Sequence, residues 1–175
     1  KKLTIGIIST GDELRLPGEE LGDTEIFESN SFGLASLVTM NGHNPIRYNS
    51  VSDSIDNLRV QLDKAAEECD IILTSGGVSM GEWDLVRKIM EEEGDIKFWR
   101  VKIRPGSPPL FGFWKKTPLF GLPGNPASSH VVFRMLVSPY LRQSTEDGGF
   151  REKKVRVKLA EPLKTDRECL VLRRI

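Results

Sequence analysis

The stretch Thr74–Asp84, TSGGVSMGEWD, constrains this chain more than any other. The run before it, Asp70–Leu73 (DIIL), is short and apolar and reads as a buried parallel strand. Lys88 and the run to Glu93 read as helix. Strand, glycine-rich turn and helix in that order form the working unit of an α/β domain. Gly76 and Gly77 allow torsions and close approaches denied to other residues, and Gly81 supplies a second such point. Backbone N–H groups at the following helix start can hold an anion. Glu82 and Asp84 stand at the rim of that pocket, where carboxylates can hold a divalent metal, orient water or accept hydrogen bonds from a heterocycle. The alternative is that the glycines only shape a turn and the acids only cap a helix. Two acids beside a paired-glycine turn favour a site.

The same arrangement recurs along the chain. Leu3–Ile8, LTIGII, is a largely continuous apolar run that suits a strand covered on both faces. It leads into Ser9–Glu13, STGDE, where Thr10 and Gly11 shape a turn at the strand's carboxyl end. Asp12 and Glu13 then face the crevice in which open α/β sheets bind ligands, unless this is an ordinary polar turn. Leu14–Asp23 carries Pro17, Gly18 and Gly22 and reads as loop. Ile26–Asn30 leads into a helix over Ser31–Met40, with Asn30 or Ser31 as cap; Ser29 or Asn30 could instead bond a ligand. Asn44–Val51 is the second strand, and Ile55–Glu68 has helical spacing. Asp53 either caps that helix or joins Glu13 and Asp84 on one rim.

Lys97–Ile103 reads as a strand and Arg104–Pro109, RPGSPP, as a rigid turn. Arg104 and Lys102 are the basic groups nearest the expected crevice, with Arg104 the better anion ligand if its fork faces inward; the alternative for either is a solvated surface charge. Leu110–Trp114 and Pro118–Leu122 form a hairpin around Lys115 and Lys116. Its second arm ends in GLPGNP, Gly121–Pro126, with Gly124 and Asn125 in a sharp turn. A helix follows over Ala127–Leu141, kinked or cut short at Pro139. These alternations predict a three-layer α/β/α sandwich with a mostly parallel sheet over residues 1–144. Residues 145–175 read as a linker and the first strands, Val155–Ala160 and Glu168–Arg173, of an incomplete small β domain. The chain reads as a piece of a longer polypeptide.

A formal net charge of zero gives no global basic field to recruit nucleic acid. No apolar run is long enough to cross a bilayer and no signal peptide is visible, so the expected location is the cytoplasm. Cys69 and Cys169 are far apart and make neither a metal-ligand pair nor a disulfide framework. The first strand lacks a following GxGxxG turn, which argues against a dinucleotide-dependent dehydrogenase.

Five motifs stand in a fixed order: STGDEL at Ser9–Leu14, ESNS at Glu28–Ser31, TSGGVSMGEWD, RPGSPP and GLPGNP. Together they are specific, and over about Leu3 to Leu141 the chain resembles the molybdenum-binding domain of the molybdopterin molybdotransferases. That family includes the C-terminal part of gephyrin. The tail from about Arg151 resembles the opening of the family's small C-terminal β domain. The resemblance implies insertion of molybdate into adenylylated molybdopterin, with release of AMP and participation of Mg²⁺. It implies catalytic roles for Glu13, Asp53, Asp84 and Arg104, with Asp53 and Asp84 on the metal. It places Thr10, Gly11, Asp12, Ser29 and Asn30 against the pterin nucleotide. Ser75, Gly76, Gly77, Ser79, Gly81 and Glu82 form the turn that embraces it, and Pro123, Gly124 and Asn125 another wall. Many relatives read KPGKP where this chain has RPGSP: Arg104 keeps the first charge and Ser107, a further candidate contact, loses the second. The resemblance also implies a homodimer of the full-length protein, an active site completed by other domains and the partner subunit, and molybdopterin adenylyltransferase as a candidate partner. Competing expectations are the adenylyltransferase itself, a nucleotide-cofactor hydrolase and a non-catalytic scaffold of the gephyrin type.

Overall fold

The apolar runs pair into one six-stranded sheet. In this computed structural model the described residues are 1–52, 54–79, 84–145, 153, 155–162 and 168–173. Strand β1 (Thr4–Ser9) pairs in parallel with β4 (Asn44–Arg47) on one side and β5 (Ile71–Ser75) on the other. β9 (Thr117–Leu122) continues the parallel set beside β5. β8 (Leu110–Trp114) runs antiparallel to β9, and β6 (Asp95–Trp99) antiparallel to β8. The order is β4-β1-β5-β9-β8-β6. The chain therefore steps from β1 outward to β4, then crosses back to the opposite side of β1. Such a reversal opens a crevice at the carboxyl ends of the two diverging strands.

Side-chain alternation along the strands feeds two cores. Ile7 and Leu73 pack on one face with Leu34 and Val38 of α1 (Asn30–Met40) and with Phe133. Ile8 and Ile72 pack on the other with Leu58 and Leu62 of α2 (Ile55–Glu68) and Ile89 of α3 (Leu85–Glu92). Each such fully buried side chain contributes about 1.5–3 kcal/mol. The fold is thus the expected three-layer sandwich with a mostly parallel sheet. Gly6 faces the α2 layer, where a Cβ would meet Cys69 Sγ at 3.1 Å, so the layer packs tightly there.

Several local expectations are corrected. Helix α2 is capped by Ser54, whose Oγ accepts from Asn57 N at 3.4 Å; Asp53 lies outside the described residues. Helix α1 starts one residue early, after Ser29, and neither Asn30 nor Ser31 caps it. The carboxylate of Glu28 does so instead, accepting from Ser31 N at 2.7 Å. The loop Leu14–Asp23 contains β2 (Leu14–Arg15), which pairs with β3 (Ile26–Phe27). The strand expected to reach Val51 ends at Arg47, leaving Val51 in a single bridge to Thr10. The run Lys97–Ile103 breaks at Arg100, whose φ of +71° is incompatible with a strand. Beyond the break, β7 (Ile103–Arg104) pairs with β10 (Leu170–Val171). The tail thus docks partly on the α/β unit, whereas Val155–Ala160, expected to be a strand, is exposed and lies in no strand. After α4 (Pro126–Val132) the last helix widens into a π-helical turn at Phe133–Val137 and resumes as α5 (Ser138–Ser144). Pro139 has no N–H to continue the α-helical ladder, and the wider turn immediately precedes it.

No helix among the described residues is long and apolar enough to cross a membrane. His43, 7% exposed after α1, accepts from Leu3 N through Nδ1 at 3.3 Å. Burial, reinforced by nearby positive charge including Lys2, holds its pKa below the ordinary value of 6.5. A lowered folded-state pKa means the unfolded chain binds the extra proton first. His43's contribution is therefore fully present above about pH 6.5 and is lost as pH falls below it. Urea unfolding at pH 7.5 and 5.5 should show a smaller stability loss for His43→Gln than for the native chain.

Candidate functional site

The crevice predicted by the strand order is a cleft of about 540 Å³ at the carboxyl ends of β1, β5 and β9. Its floor is the glycine turn. Gly76 and Gly77 have φ of +96° and +65°. A Cβ on Gly76 would stand 2.8 Å from the Thr10 carbonyl oxygen, so only glycine lets this turn lie against the end of β1. Thr10 N donates to the Ser75 carbonyl and Gly76 N to the Leu122 carbonyl, each at 3.0 Å. These bonds hold three strand ends in one register. Behind the turn, Arg87 N donates to the Gly77 carbonyl at 3.0 Å and Trp99 Nε1 to the Val78 carbonyl at 2.9 Å. The guanidinium groups of Arg87 and Arg100 lie 4.9 and 4.8 Å from the Trp99 ring centroid, packing the indole in place.

The ESNS segment ties this floor to α1. Glu28 is 3% exposed. It accepts from Ser9 Oγ at 2.9 Å as well as from Ser31 N and the Ser31 hydroxyl. Arg47 Nε donates to Ser31 Oγ at 2.8 Å. A buried carboxylate needs such partners, and these join the end of β1 to the start of α1. Asn30 Nδ2 donates to Ser75 Oγ and to the Gly124 carbonyl, both at 2.7 Å. It thereby connects the glycine turn to the Pro123–Asn125 wall. There Asn125 caps α4, its Oδ1 accepting from Ser128 N at 3.2 Å.

The sequence candidates divide three ways. Thr10, Gly11, Glu13, Ser29 and Asn30 border the cleft. So do Ser75, Gly76, Gly77, Ser79 and Asp84, and the facing Pro123, Gly124 and Asn125. Three others stand elsewhere. Asp12 lines an adjoining depression with Arg15, Ser50 and Ser52, across Gly11 and Leu14, which border both. Arg104 is exposed on β7 and Ser107 is exposed in the following turn; from that segment Gly106 and Pro108 reach the cleft instead. Asp53, Gly81 and Glu82 lie outside the described residues.

The structure adds Glu28, Phe27 and Ser128 to the lining. Glu28 sat in a motif quoted for its order, but no spacing rule marks one acid as buried. Among the described residues no group of three metal-ligating side chains is present. The described polar lining holds hydroxyls, backbone, the amides of Asn30 and Asn125 and the carboxylates of Glu13, Glu28 and Asp84, with no lysine, arginine or histidine. An anionic ligand here would meet hydroxyls and backbone N–H groups, and its charge would need a cation from elsewhere.

Comparison with known proteins adds identity to this geometry. The profile of a family described as a probable molybdopterin binding domain matches residues 6–143. A molybdopterin molybdenumtransferase from Haemophilus influenzae is 35% identical over 141 residues, covering 81% of this chain and 35% of the relative. Gephyrin from Dictyostelium discoideum is 35% identical over 202 residues, covering 94% of this chain and 28% of that protein. A crystal structure of the molybdopterin biosynthesis moeA protein from Pyrococcus horikoshii superposes with a TM-score of 0.76 at 33% identity. That match covers 85% of this chain and 37% of the other. The chain thus spans about a third of the length of the curated relatives it matches.

Proposed function

Because the chain belongs to the family of probable molybdopterin binding domains, we propose that its cleft binds adenylylated molybdopterin and, within the full-length protein, supports insertion of molybdate with release of AMP. The observation that carries this reading is the joint placement of the Gly76–Gly77 turn, Glu13 and Asp84 around one cleft at the strand reversal. The turn lets a phosphate approach the backbone closely, and the hydroxyls of Thr10, Ser75 and Ser79 offer further donors.

The donor set fits Mg²⁺, which takes one or two protein carboxylates and otherwise water and substrate phosphate. Asp84 and Asp53 are the proposed protein ligands, and the ion would polarise the phosphoryl leaving group. Glu13, which lines the cleft with Asp84, orients a water. The described lining has no basic side chain, which supports an active site completed by other domains or by the partner subunit of a homodimer. Arg104 belongs in this proposal only through such a rearranged assembly, since here it is exposed on β7. We assign the protein to the cytoplasm, with the adenylyltransferase as upstream partner.

Turnover tests the reading. The full-length protein should release AMP from adenylylated molybdopterin only when molybdate and Mg²⁺ are present. Product formed instead from ATP and molybdopterin would transfer the assignment to adenylylation. Ligand binding with no turnover in either assay would favour the scaffold.

A further inference from the structure

Asn30 has one polar atom left over. Its Nδ2 donates to both Ser75 Oγ and the Gly124 carbonyl. A carbonyl only accepts, so the Gly124 contact fixes which end of the amide is nitrogen. Both amide hydrogens are then used. Oδ1 has no hydrogen-bond partner among the described residues, yet it is not sealed from solvent. Phe27, three residues earlier on β3, borders the same cleft and is 45% exposed. An exposed aromatic face in a concave site is a platform for a flat ring, and an adjacent carbonyl oxygen selects one that carries N–H groups.

We infer that Phe27 and Asn30 form a ring-recognition subsite, in which a planar amino-substituted heterocycle stacks on Phe27 and donates an N–H hydrogen bond to Asn30 Oδ1. This rests on the pterin-nucleotide reading above and adds which residues select the ring. Pterin and adenine share the required chemistry. Asn30 also ties two cleft walls together, so its removal weakens every ligand to some extent. Selection must therefore be read from a ratio between ligands.

The experiment is calorimetric binding to the full-length protein with two ligand pairs. One is AMP and its 6-desamino counterpart, purine riboside 5′-monophosphate. The other is pterin-6-carboxylate and its 2-desamino analogue. In at least one pair the amino ligand should bind the native protein about tenfold more tightly. In Asn30→Ala both members of the pair should weaken, the amino ligand about tenfold more than its partner, so that the ratio falls to near one; Asn30→Ser serves if the alanine variant does not fold. Phe27→Leu should weaken both members about tenfold with the ratio kept, and Phe27→Trp should restore them. The pair that shows the ratio identifies the ring. A ratio that survives in Asn30→Ala, a ratio near one for both pairs in the native protein, or no binding of any of the four ligands overturns the subsite. AMP release is measured separately: expected ratios without turnover discard molybdate insertion and leave the subsite standing.

Discussion

Gly76→Ala should lower the unfolding free energy by about 2–4 kcal/mol and remove ligand binding from the cleft. Two effects add. The native φ of +96° is one that L side chains rarely adopt. The new Cβ would also lie 2.8 Å from the Thr10 carbonyl oxygen and 2.9 Å from Thr10 Oγ1. The carbonyl belongs to the backbone at the end of β1, so relief requires separating the turn from the strand. That separation breaks the register held by Thr10 N to the Ser75 carbonyl and Gly76 N to the Leu122 carbonyl. For a chain of this size the melting temperature should fall by about 5–10 °C. Gly124→Ala is the matched control. Its Cβ would meet only Gly76 Cα at 3.6 Å, an ordinary contact, and its stability should stay within about 0.5 kcal/mol of native. Thermal unfolding of the two variants side by side decides the matter. Equal stability for both would show that the turn does not depend on contact with β1.

Asp84→Asn should reduce molybdate-dependent AMP release by the full-length protein at least about 100-fold with little change in melting temperature. Asp84 sits immediately before α3, partly exposed, and its side chain does not cap that helix. The substitution preserves shape, removes the charge and turns one acceptor oxygen into an NH₂ donor. A metal ligand or an electrostatic partner of the reacting group would lose most of its effect. A purely structural polar residue at a half-exposed position would lose little. Raising Mg²⁺ should partly restore the variant if the lost charge acts through the ion. Turnover unchanged at every Mg²⁺ concentration would remove Asp84 from the proposed chemistry.

The general architecture was legible because burial on both faces leaves a simple mark. Leu3–Ile8 is largely apolar and Ile71–Leu73 wholly so, and both lie in central parallel strands. Ile55–Glu68 carries one apolar face and became α2 over those same residues. Edges were harder. Lys97–Ile103 has strand composition throughout, but Arg100 leaves the sheet because Arg100 N and Val101 N bond to Pro109 and Ser107 carbonyls across the loop. Nothing local in KFWRVKI encodes those distant partners.

Composition and periodicity by themselves determined the layers, the strand–turn–helix alternation and the segments that end at the ligand edge, since each depends on residues near one another in the chain. Only the tertiary structure decided which neighbours share a cavity. Asp12 and Glu13 are adjacent, yet Glu13 lines the cleft and Asp12 the depression beside it. Arg104 carries the charge expected of a site residue and stands outside, while Glu28, Phe27 and Asn30 gain their positions from contacts or strand pairings beyond their own segment. The reason is physical: backbone propensity is set within a few residues, whereas the direction a side chain takes at a turn is fixed by long-range hydrogen bonds and by glycines packed against another strand's end.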